Sequence, residues 1–452
     1  MKKASFLLCL IILFSCQPKQ ENTGQPQVVF KSVNVIPMDQ ERVLENQDVV
    51  VSLGKIVAVG ESGEVTYNDD ATVVDGNGKY IIPGLAEMHA HVPPVDDMEP
   101  MKDVLSLFLA KGITTIRGML GHPLHLELRD KVNNGEVLGP HFYTTGPSFN
   151  GNTVKTAEEG AQRVRDQKAA GYDYLKMHPG LVPETFAAIT STANELGIPF
   201  VGHVSFDVGI DRAIEAGYSS IDHMDGIVEG LVPNIEEIGE EGNGLFAIYS
   251  SPLADTSRMP EIIQGLKERD IWMVPTQSLA ERWMFPAEAD EHLSASEMKY
   301  MSQQVLDNWR KAKEGLLADK RYNADKVKDY IELRRKLIYE CQKNGVGILL
   351  GSDAPQIFNV PGFSAHYELK YLVDAGLTPF EALQTGTINV ADYLDKDNEG
   401  VIKVGAVSDL VLLNANPLED ITNTQAIEAV MIGDTYLSKD TINTILEKLA
   451  KR

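Results

Sequence analysis

Two hydrophobic patterns follow one another along the 452-residue chain. Between Val28 and Val74, short apolar runs alternate with turn residues such as Leu53-Gly54-Lys55, which predicts a layer of β-strands. From Leu85 to about residue 400, strand-like runs instead alternate with stretches of helical length. After Glu399-Gly400 short strands return without helices. The simplest interpretation is one β-domain with the α/β region inserted between its halves.

The α/β region contains eight candidate strands separated by helical segments. They are Leu85–His89, Thr114–Arg117, His141–Thr145, Tyr174–Met177, Phe200–His203, Ser220–His223, Trp272–Pro275 and Gly347–Gly351. Eight such units fit a (β/α)8 TIM barrel better than an open doubly wound sheet. The predicted fold class is α/β, with the barrel over residues 84–400 inserted in a small β-sandwich built from both ends of the chain. The sandwich takes residues 27–83 and 401–440, and a C-terminal helix takes 441–452.

A long charged segment, residues 281–329, separates the seventh and eighth candidate strands. Its content of Glu, Lys, Arg, Met and Trp predicts inserted helices on the catalytic face of the barrel. Two interpretations stay open, a lid over the site and a solvated surface excursion.

The amino terminus has the pattern of an export signal. Two lysines precede an apolar run that is too short for a membrane-spanning helix. Its ending, Leu13–Cys16, resembles a bacterial lipobox, which implies a signal peptide over 1–15 and a lipidated tether over 16–26 that begins at Cys16. The alternative is an ordinary signal peptide with an incidental cysteine. We expect a bacterial cell-envelope protein, anchored to a membrane by lipid and facing the periplasm or the cell exterior.

Charge and composition narrow the function classes. Asp and Glu outnumber Lys and Arg by 65 to 41, and the net charge of −24 argues against a nucleic-acid partner. A hydrophobic content of 43% supports a packed core, and three cysteines are too few for a disulfide framework. We therefore expect an acidic globular protein with a small-molecule partner. A homo-oligomer is compatible with the sequence.

Six residues of metal-binding type lie at the ends of candidate strands. They are His89, His91, Lys176, His203, His223 and Asp353. Each alone has an ordinary explanation, as a structural histidine, a solvated lysine or a helix N-cap. A barrel brings the carboxyl ends of its strands to one rim, and strand alternation puts His89 and His91 on one face. Together the six residues predict a site for divalent metal ions.

These features resemble the amidohydrolase superfamily. The resemblance runs from Ser32 to about Leu437 and includes Ile82-Pro83-Gly84-Leu85 before the His-Ala-His motif and Leu350–Ala354 around Asp353. Within the superfamily the chain is most similar to the branch of imidazolonepropionase-like proteins and metal-dependent Xaa-Pro dipeptidases (prolidases).

The resemblance implies a binuclear centre. Lys176 would become N6-carboxylysine and bridge two divalent ions, zinc by analogy, although manganese or cobalt also suit such ligands. Asp353 would be the catalytic residue that carries a proton from an activated hydroxide to the leaving amine. The first ion would be bound by His89, His91 and Asp353, and the second by His203 and His223.

Four further residues are candidates for substrate binding: His178, His366, Arg117 and His141. His178 shares a strand face with Lys176 and replaces the tyrosine of many relatives, and its alternative is a rim histidine with no role. Arg117 would hold a substrate carboxylate. His141 stands where relatives often have arginine, and His366 is expected in a loop after the eighth strand.

The expected function is a metal-dependent hydrolase of carbon–nitrogen bonds, a dipeptidase of the Xaa-Pro type. Hydrolysis of a lactone, a cyclic amide or a phosphotriester suits the same centre. A non-catalytic metal-binding or solute-binding lipoprotein is the non-enzymatic alternative. Asp353 favours the enzyme, because a storage site needs no proton shuttle.

Overall fold

The computed structural model describes residues 25–450. The predicted signal peptide, Cys16 and most of the predicted tether lie outside the described residues. Within residues 25–450, none of the helices combines the length and the apolar composition that crossing a bilayer requires.

The described chain contains fifteen strands. They are β1 Val28–Val35, β2 Leu44–Ser52, β3 Lys55–Glu61, β4 Thr72–Asp75, β5 Tyr80–Pro83, β6 Leu85–Ala90, β7 Ile113–Gly118, β8 His141–Thr144, β9 Leu175–Met177, β10 Phe200–Gly202, β11 Ser220–Asp222, β12 Trp272–Val274, β13 Leu410–Leu413, β14 Ile427–Ile432 and β15 Thr435–Leu437.

Sixteen α-helices accompany these strands in the same residues. They are α1 Met98–Ala110, α2 Pro123–Asn133, α3 Ala157–Ala170, α4 Pro183–Leu196, α5 Gly209–Ala216, α6 Ile227–Gly230, α7 Ile235–Asn243, α8 Met259–Glu268, α9 Gln277–Leu279, α10 Ala289–Leu293, α11 Gln303–Leu317, α12 Ala324–Asn344, α13 Phe363–Asp374, α14 Pro379–Thr385, α15 Ile388–Tyr393 and α16 Lys439–Leu449. A π-helical turn, Ala280–Met284, extends α9.

The β-layer draws its strands from both sides of the α/β region. Its order is β15-β14-β13-β5-β1-β2-β3, and β4 pairs with β1. The junction is the antiparallel pair of β5 and β13, in which Tyr80 faces Leu413 and Pro83 faces Leu410. Apolar side chains such as Phe30, Ile56 and Met431 pack together on this sheet. The strands before and after the α/β region therefore form one hydrogen-bonded sheet.

The α/β region contains two parallel sheets, β6-β7-β8 and β9-β10-β11-β12. A parallel bridge between Thr145 and Tyr174 connects them. The eighth candidate strand differs from expectation, because within the described chain it makes isolated bridges instead of a ladder, Ile348 with Met273 and Ala354 with Ala90. The physical reason is that the N–H of Leu350 donates to Thr385 O in α14, outside the sheet.

The segment 281–329 forms helices, including α10 and α11, as its sequence predicts. It is packed against the rest of the molecule. Lys313 of α11 is fully buried and donates to the carbonyls of Trp283 (2.8 Å) and Phe285 (2.5 Å). Met298 and Trp309 join an apolar cluster with Leu449 of α16. This packing does not fit the interpretation of segment 281–329 as a solvated surface excursion, that is, an insertion that extends into solvent without packing on the rest of the chain.

Candidate metal centre

The six residues predicted as metal ligands meet at the carboxyl ends of the parallel strands. The His223 ring centre lies 4.5 Å from that of His89 and 4.3 Å from that of His203. The His89 ring is 5.4 Å from that of His91. Lys176 reaches the same cluster through Asp222, whose Oδ2 is 3.6 Å from Lys176 Nζ and 3.1 Å from His89 Nδ1.

Asp353 faces three of these imidazoles. Its Oδ1 lies 2.7 Å from His91 Nε2 and 3.4 Å from His89 Nε2, and its Oδ2 lies 3.9 Å from His223 Nδ1. His89, His223 and Asp353 each offer a ligand atom, and these atoms all lie within 4.8 Å of one another. This triad combines His89 and Asp353, which were expected to bind the first ion, with His223, which was expected to bind the second. The assignment of ligands to the two ions therefore stays a prediction.

The backbone turns two of these side chains out of the strand direction. His223 and Asp353 have φ values of 62° and 65°, in the left-handed region that residues with a Cβ rarely adopt. The Asp353 N–H donates to His89 O (3.0 Å), and the His223 N–H donates to Val274 O of β12 (2.9 Å). Such strained conformations cluster at functional sites, where neighbouring contacts hold them.

Four polar atoms of the cluster are buried and make no hydrogen bond among the described residues: His89 Nδ1, Lys176 Nζ, Asp222 Oδ2 and His223 Nε2. Buried polar atoms are nearly always satisfied, and four exceptions at one place indicate a missing polar partner. Imidazole and carboxylate groups are ligands that divalent zinc prefers. The residues therefore fit a divalent metal centre.

The protonation states suit the same chemistry. Burial lowers the pKa of His89, His203 and His223 well below the ordinary value, so these rings are neutral. Burial also lowers the pKa of Lys176, which favours the free amine. Metals bind the neutral imidazole, and an amine must lose its proton before it can react with CO₂ or coordinate an ion.

Asp222 and Asp225 belong to the site but were not predicted from the sequence. Asp222 is fully buried beside Lys176 and His89. Asp225 Oδ2 lies 2.5 Å from His203 Nδ1, a contact that directs the other ring nitrogen toward the cluster when Nδ1 holds the proton. Both flank the His223 motif, and an acidic residue inside an apolar strand, as in Ser220-Ile221-Asp222, was the available signal.

Arg117 does not lie where a substrate carboxylate could reach it, and its prediction as a substrate-binding residue is wrong. The side chain is fully buried inside the α/β region. It donates to Met88 O (2.8 Å), Tyr393 Oη (2.8 Å) and Ser220 Oγ (3.0 Å), and lies 3.4 Å from Asp222 Oδ1. These contacts occupy the guanidinium and compensate the buried charge of Asp222.

The prediction that His366 binds substrate from a loop is also wrong. The residue lies in α13 and not in a loop, and it is buried. Its Nδ1 is 2.9 Å from Thr424 Oγ1 and its Nε2 is 3.0 Å from Lys111 O. Lys111 precedes β7, at the opposite end of the strands from the cluster, so His366 has no free ring nitrogen for substrate.

His141 begins β8, at the amino end of the strand, whereas the cluster lies at the carboxyl ends. Its Nε2 pairs with Asp409 Oδ2 at 2.9 Å, and the side chain is 42% exposed. The predicted contact with substrate is therefore wrong for His141. His178, in contrast, lies beside the cluster, with its ring 4.6 Å from that of His203.

The His141–Asp409 pair predicts a pH dependence of stability. The hydrogen bond to Asp409 raises the pKa of His141 in the folded chain. The pair therefore stabilises the fold fully below the ordinary histidine pKa of about 6.5, and this contribution is lost as pH rises through the raised value. We expect His141→Gln to destabilise the chain by up to about 1 kcal/mol near pH 5.5 and by less near pH 8.5, measured by urea unfolding. An equal loss at both pH values would contradict the assignment.

Two buried glutamates support the loops around the site. Glu87 of β6 accepts hydrogen bonds from the N–H (2.5 Å) and Oγ (2.8 Å) of Ser352, next to Asp353. Glu368 of α13 accepts from the N–H groups of Gln277 and Ser278 at the start of α9. Burial raises the pKa of Glu87 to about 8 and that of Glu368 to about 7. Neither residue was singled out by its sequence pattern.

A cavity of about 370 Å³ opens beside His203. Its lining includes Asp225 and Glu229, the apolar residue Phe246, and Arg321 from the end of the inserted segment. The Phe246 ring stacks on that of His203, at 6.2 Å and 8°. The cavity is large enough for a small molecule and reaches the cluster directly.

Comparisons with known proteins agree with this geometry. The family model described as "Amidohydrolase family" matches residues 80–437. Ochratoxinase of Aspergillus niger is 24% identical, over 88% of this chain and 83% of its own. Imidazolonepropionase of Idiomarina loihiensis is 20% identical, over 87% and 92%. The crystal structure of a putative prolidase from Bifidobacterium longum superposes with a TM-score of 0.68 at 23% identity, covering 94% of this chain and 99% of that one.

Proposed function

Because the chain belongs to the amidohydrolase family, as its sequence motifs predicted, we propose that it is a binuclear metal-dependent dipeptidase of the Xaa-Pro type. Family membership also confirms the prediction that the chain is an amide-bond hydrolase. Similarity to a putative prolidase supports the dipeptidase assignment.

The observation that carries this proposal is the convergence of unsatisfied buried atoms at His89, Lys176, Asp222 and His223. Asp222 Oδ2 lies 3.1 Å from His89 Nδ1 and 3.6 Å from Lys176 Nζ, yet none of these atoms makes a hydrogen bond among the described residues. Burial holds the His89 ring in the neutral form that coordinates ions and lowers the pKa of Lys176, and the adjoining cavity gives a substrate access. The set suits catalysis better than storage, because Asp353 places a carboxyl group at the cluster and a storage site needs no proton carrier.

The proposed ligands are His89, His91 and Asp353 for one ion, and His203 and His223 for the other, with Lys176 as a carboxylated bridge. When bound, the ions would polarise the scissile carbonyl and acidify the attacking water. Asp353 would accept the proton of that water and deliver it to the leaving nitrogen. Asp225 orients the ring of His203, and Arg117 holds Asp222 against His89 and Lys176.

We also propose the finer fold description that the sequence predicted. In it, the two parallel sheets and the segment around Ile348 form one TIM barrel, and the mixed sheet belongs to a β-sandwich. The bridges Thr145–Tyr174, Met273–Ile348 and Ala90–Ala354 support closure of the barrel, because they connect the sheets in a ring. We further propose that Cys16 carries a lipid that anchors the protein to a bacterial envelope membrane.

The proposal is tested with full-length protein that is stripped of metal by a chelator and then supplied with zinc and bicarbonate. We expect hydrolysis of Xaa-Pro dipeptides or N-acyl amino acids only after reconstitution, with two ions bound per chain. The panel includes a lactone and a phosphotriester as competing substrate classes. A preference of more than about tenfold for either of these over every amide would contradict the proposal. Tight metal binding without any turnover would favour a metal-binding lipoprotein.

A further inference from the structure

The cavity beside the cluster contains a carboxylate whose charge is only partly compensated. Glu229 lies on α6, and its Oε1 accepts a hydrogen bond from Asn243 Nδ2 at 3.1 Å. Its Oε2 is buried and makes no hydrogen bond within residues 25–450. Burial raises the pKa of this carboxyl to about 7, and the hydrogen bonds that reach it offset this only in part. A buried carboxylate of this kind is stabilised by a cation that supplies the missing donor.

The rest of the cavity is acidic. Asp225, Glu240 and Glu241 line it together with Glu229. Arg321 is the one Lys or Arg among the described lining residues, and its guanidinium is already engaged. It pairs with Asp319 Oδ2 at 2.7 Å and donates to Glu241 O at 2.7 Å. The cavity therefore attracts cations and disfavours an anionic group near Glu229.

The shape of the cavity suits an organic cation. His203 lines the cavity, so one end of a bound molecule lies at the proposed metal centre. Leu245 and Phe246 supply apolar lining, against which an aliphatic chain can pack. A polar group at the end of such a chain then meets Glu229.

We propose that Glu229 is a specificity-determining residue that binds a primary ammonium or guanidinium group of the substrate. This inference rests on the proposed amidohydrolase function and adds a substrate class, a cationic dipeptide. The cation comes either from a lysine or arginine side chain or from the free α-amine, and both offer N–H donors to the Glu229 carboxylate, which lines the cavity.

Native metal-loaded protein tests the proposal with matched dipeptides. Lysine is compared with norleucine at each of the two positions, and the free α-amine is compared with its N-acetyl form. We expect kcat/KM to fall by about 10-fold to 100-fold when the recognised cation is removed, as is usual for a buried charge-assisted hydrogen bond. A fall in kcat/KM when lysine is replaced by norleucine identifies the side chain as the recognised cation. A fall on N-acetylation identifies the α-amine. Changes below about threefold in all three comparisons would overturn the proposal.

Glu229→Gln is the diagnostic variant, and Glu241→Gln is its control, because it removes the same charge from an exposed residue of the same cavity. We expect Glu229→Gln to lose the preference for the cationic substrate while it still hydrolyses the neutral isostere. Glu241→Gln should keep the preference. Retention of the preference by a folded Glu229→Gln protein would refute the assignment.

A binding measurement separates this proposal from the proposed function. Calorimetry of the metal-loaded full chain with n-butylammonium, n-butylguanidinium and n-butanol needs no turnover. We expect the two cations to bind the native protein at least about tenfold more tightly than they bind Glu229→Gln, and n-butanol to show no such difference. If no amide is hydrolysed but this difference appears, the proposed function fails and the cation site stands. Equal affinity in both proteins would overturn the cation site.

Discussion

Lys176→Ala should lower kcat/KM for the best amide substrate by about 10³-fold or more and reduce the bound metal from two ions to one per chain. Lys176 is 1% exposed, and its Nζ makes no hydrogen bond among the described residues. Burial lowers its pKa, which favours the free amine that the proposed carboxylation requires. Removing the bridge would leave the second ion with two histidines and weaken its binding.

The measurement is metal analysis of dialysed protein alongside steady-state kinetics. Lys313→Met is the matched control, because Lys313 is also a fully buried lysine but bonds to backbone carbonyls of the inserted segment. We expect that variant to bind two ions and to keep kcat within about threefold while losing stability. Propionate at high concentration should restore part of the activity of Lys176→Ala, because it can occupy the vacated space with a carboxylate. Two tightly bound ions and normal kinetics in Lys176→Ala would refute the bridge.

The meeting of the candidate ligands at one rim was predictable, because it depends only on the order of the strands and on where each strand ends. Parallel strands present their carboxyl ends together, so the spacing of Lys176, His203 and His223 was enough to bring them to one rim. The same rule brought His89, near the end of β6, and His91, directly after β6, to this rim. It also recovered Asp353, although the segment that leads to it makes isolated bridges and not a ladder.

The misplaced residues show where local patterns stop being informative. Arg117 lies inside the α/β region because Asp222, 105 positions away, supplies its counter-charge there. His141 begins β8, as the predicted strand His141–Thr145 already placed it, and its assignment to the substrate rested only on the arginine that relatives often have there. His366 follows the eighth segment in sequence, but α13 carries it to Lys111.

The contacts that tune the site share this long-range character. Glu87 and Ser352 are separated by 265 positions, and Asn243 reaches Glu229 only after the turn between α6 and α7. Arg334 of α12 donates to His223 O (2.8 Å) and Pro275 O (2.7 Å), which holds the ends of β11 and β12. Nothing in the periodicity of α12 distinguishes this arginine from its solvated neighbours. Such contacts follow from tertiary packing, which a single sequence does not encode locally.

Asp353→Asn should lower kcat by about 10³-fold to 10⁴-fold with a smaller change in KM. The asparagine keeps the size of the side chain and one oxygen that can serve as a ligand, but its amide cannot accept a proton. In the folded chain Asp353 Oδ1 lies 2.7 Å from His91 Nε2, so the carboxylate is already positioned at the cluster. Its left-handed backbone, φ 65°, is held by the hydrogen bond to His89 O, and the isosteric change preserves that geometry.

Asp225→Asn is the informative comparison, because Asp225 contacts the ring of His203, a proposed metal ligand, through its Nδ1. We expect it to weaken metal affinity by about 10-fold to 100-fold, as loss of a carboxylate behind a ligating histidine usually does, and to recover much of its rate at saturating zinc. Asp353→Asn should remain slow at saturating zinc, with both ions bound. Recovery of Asp353→Asn to within about tenfold of the native kcat would show that another group carries the proton.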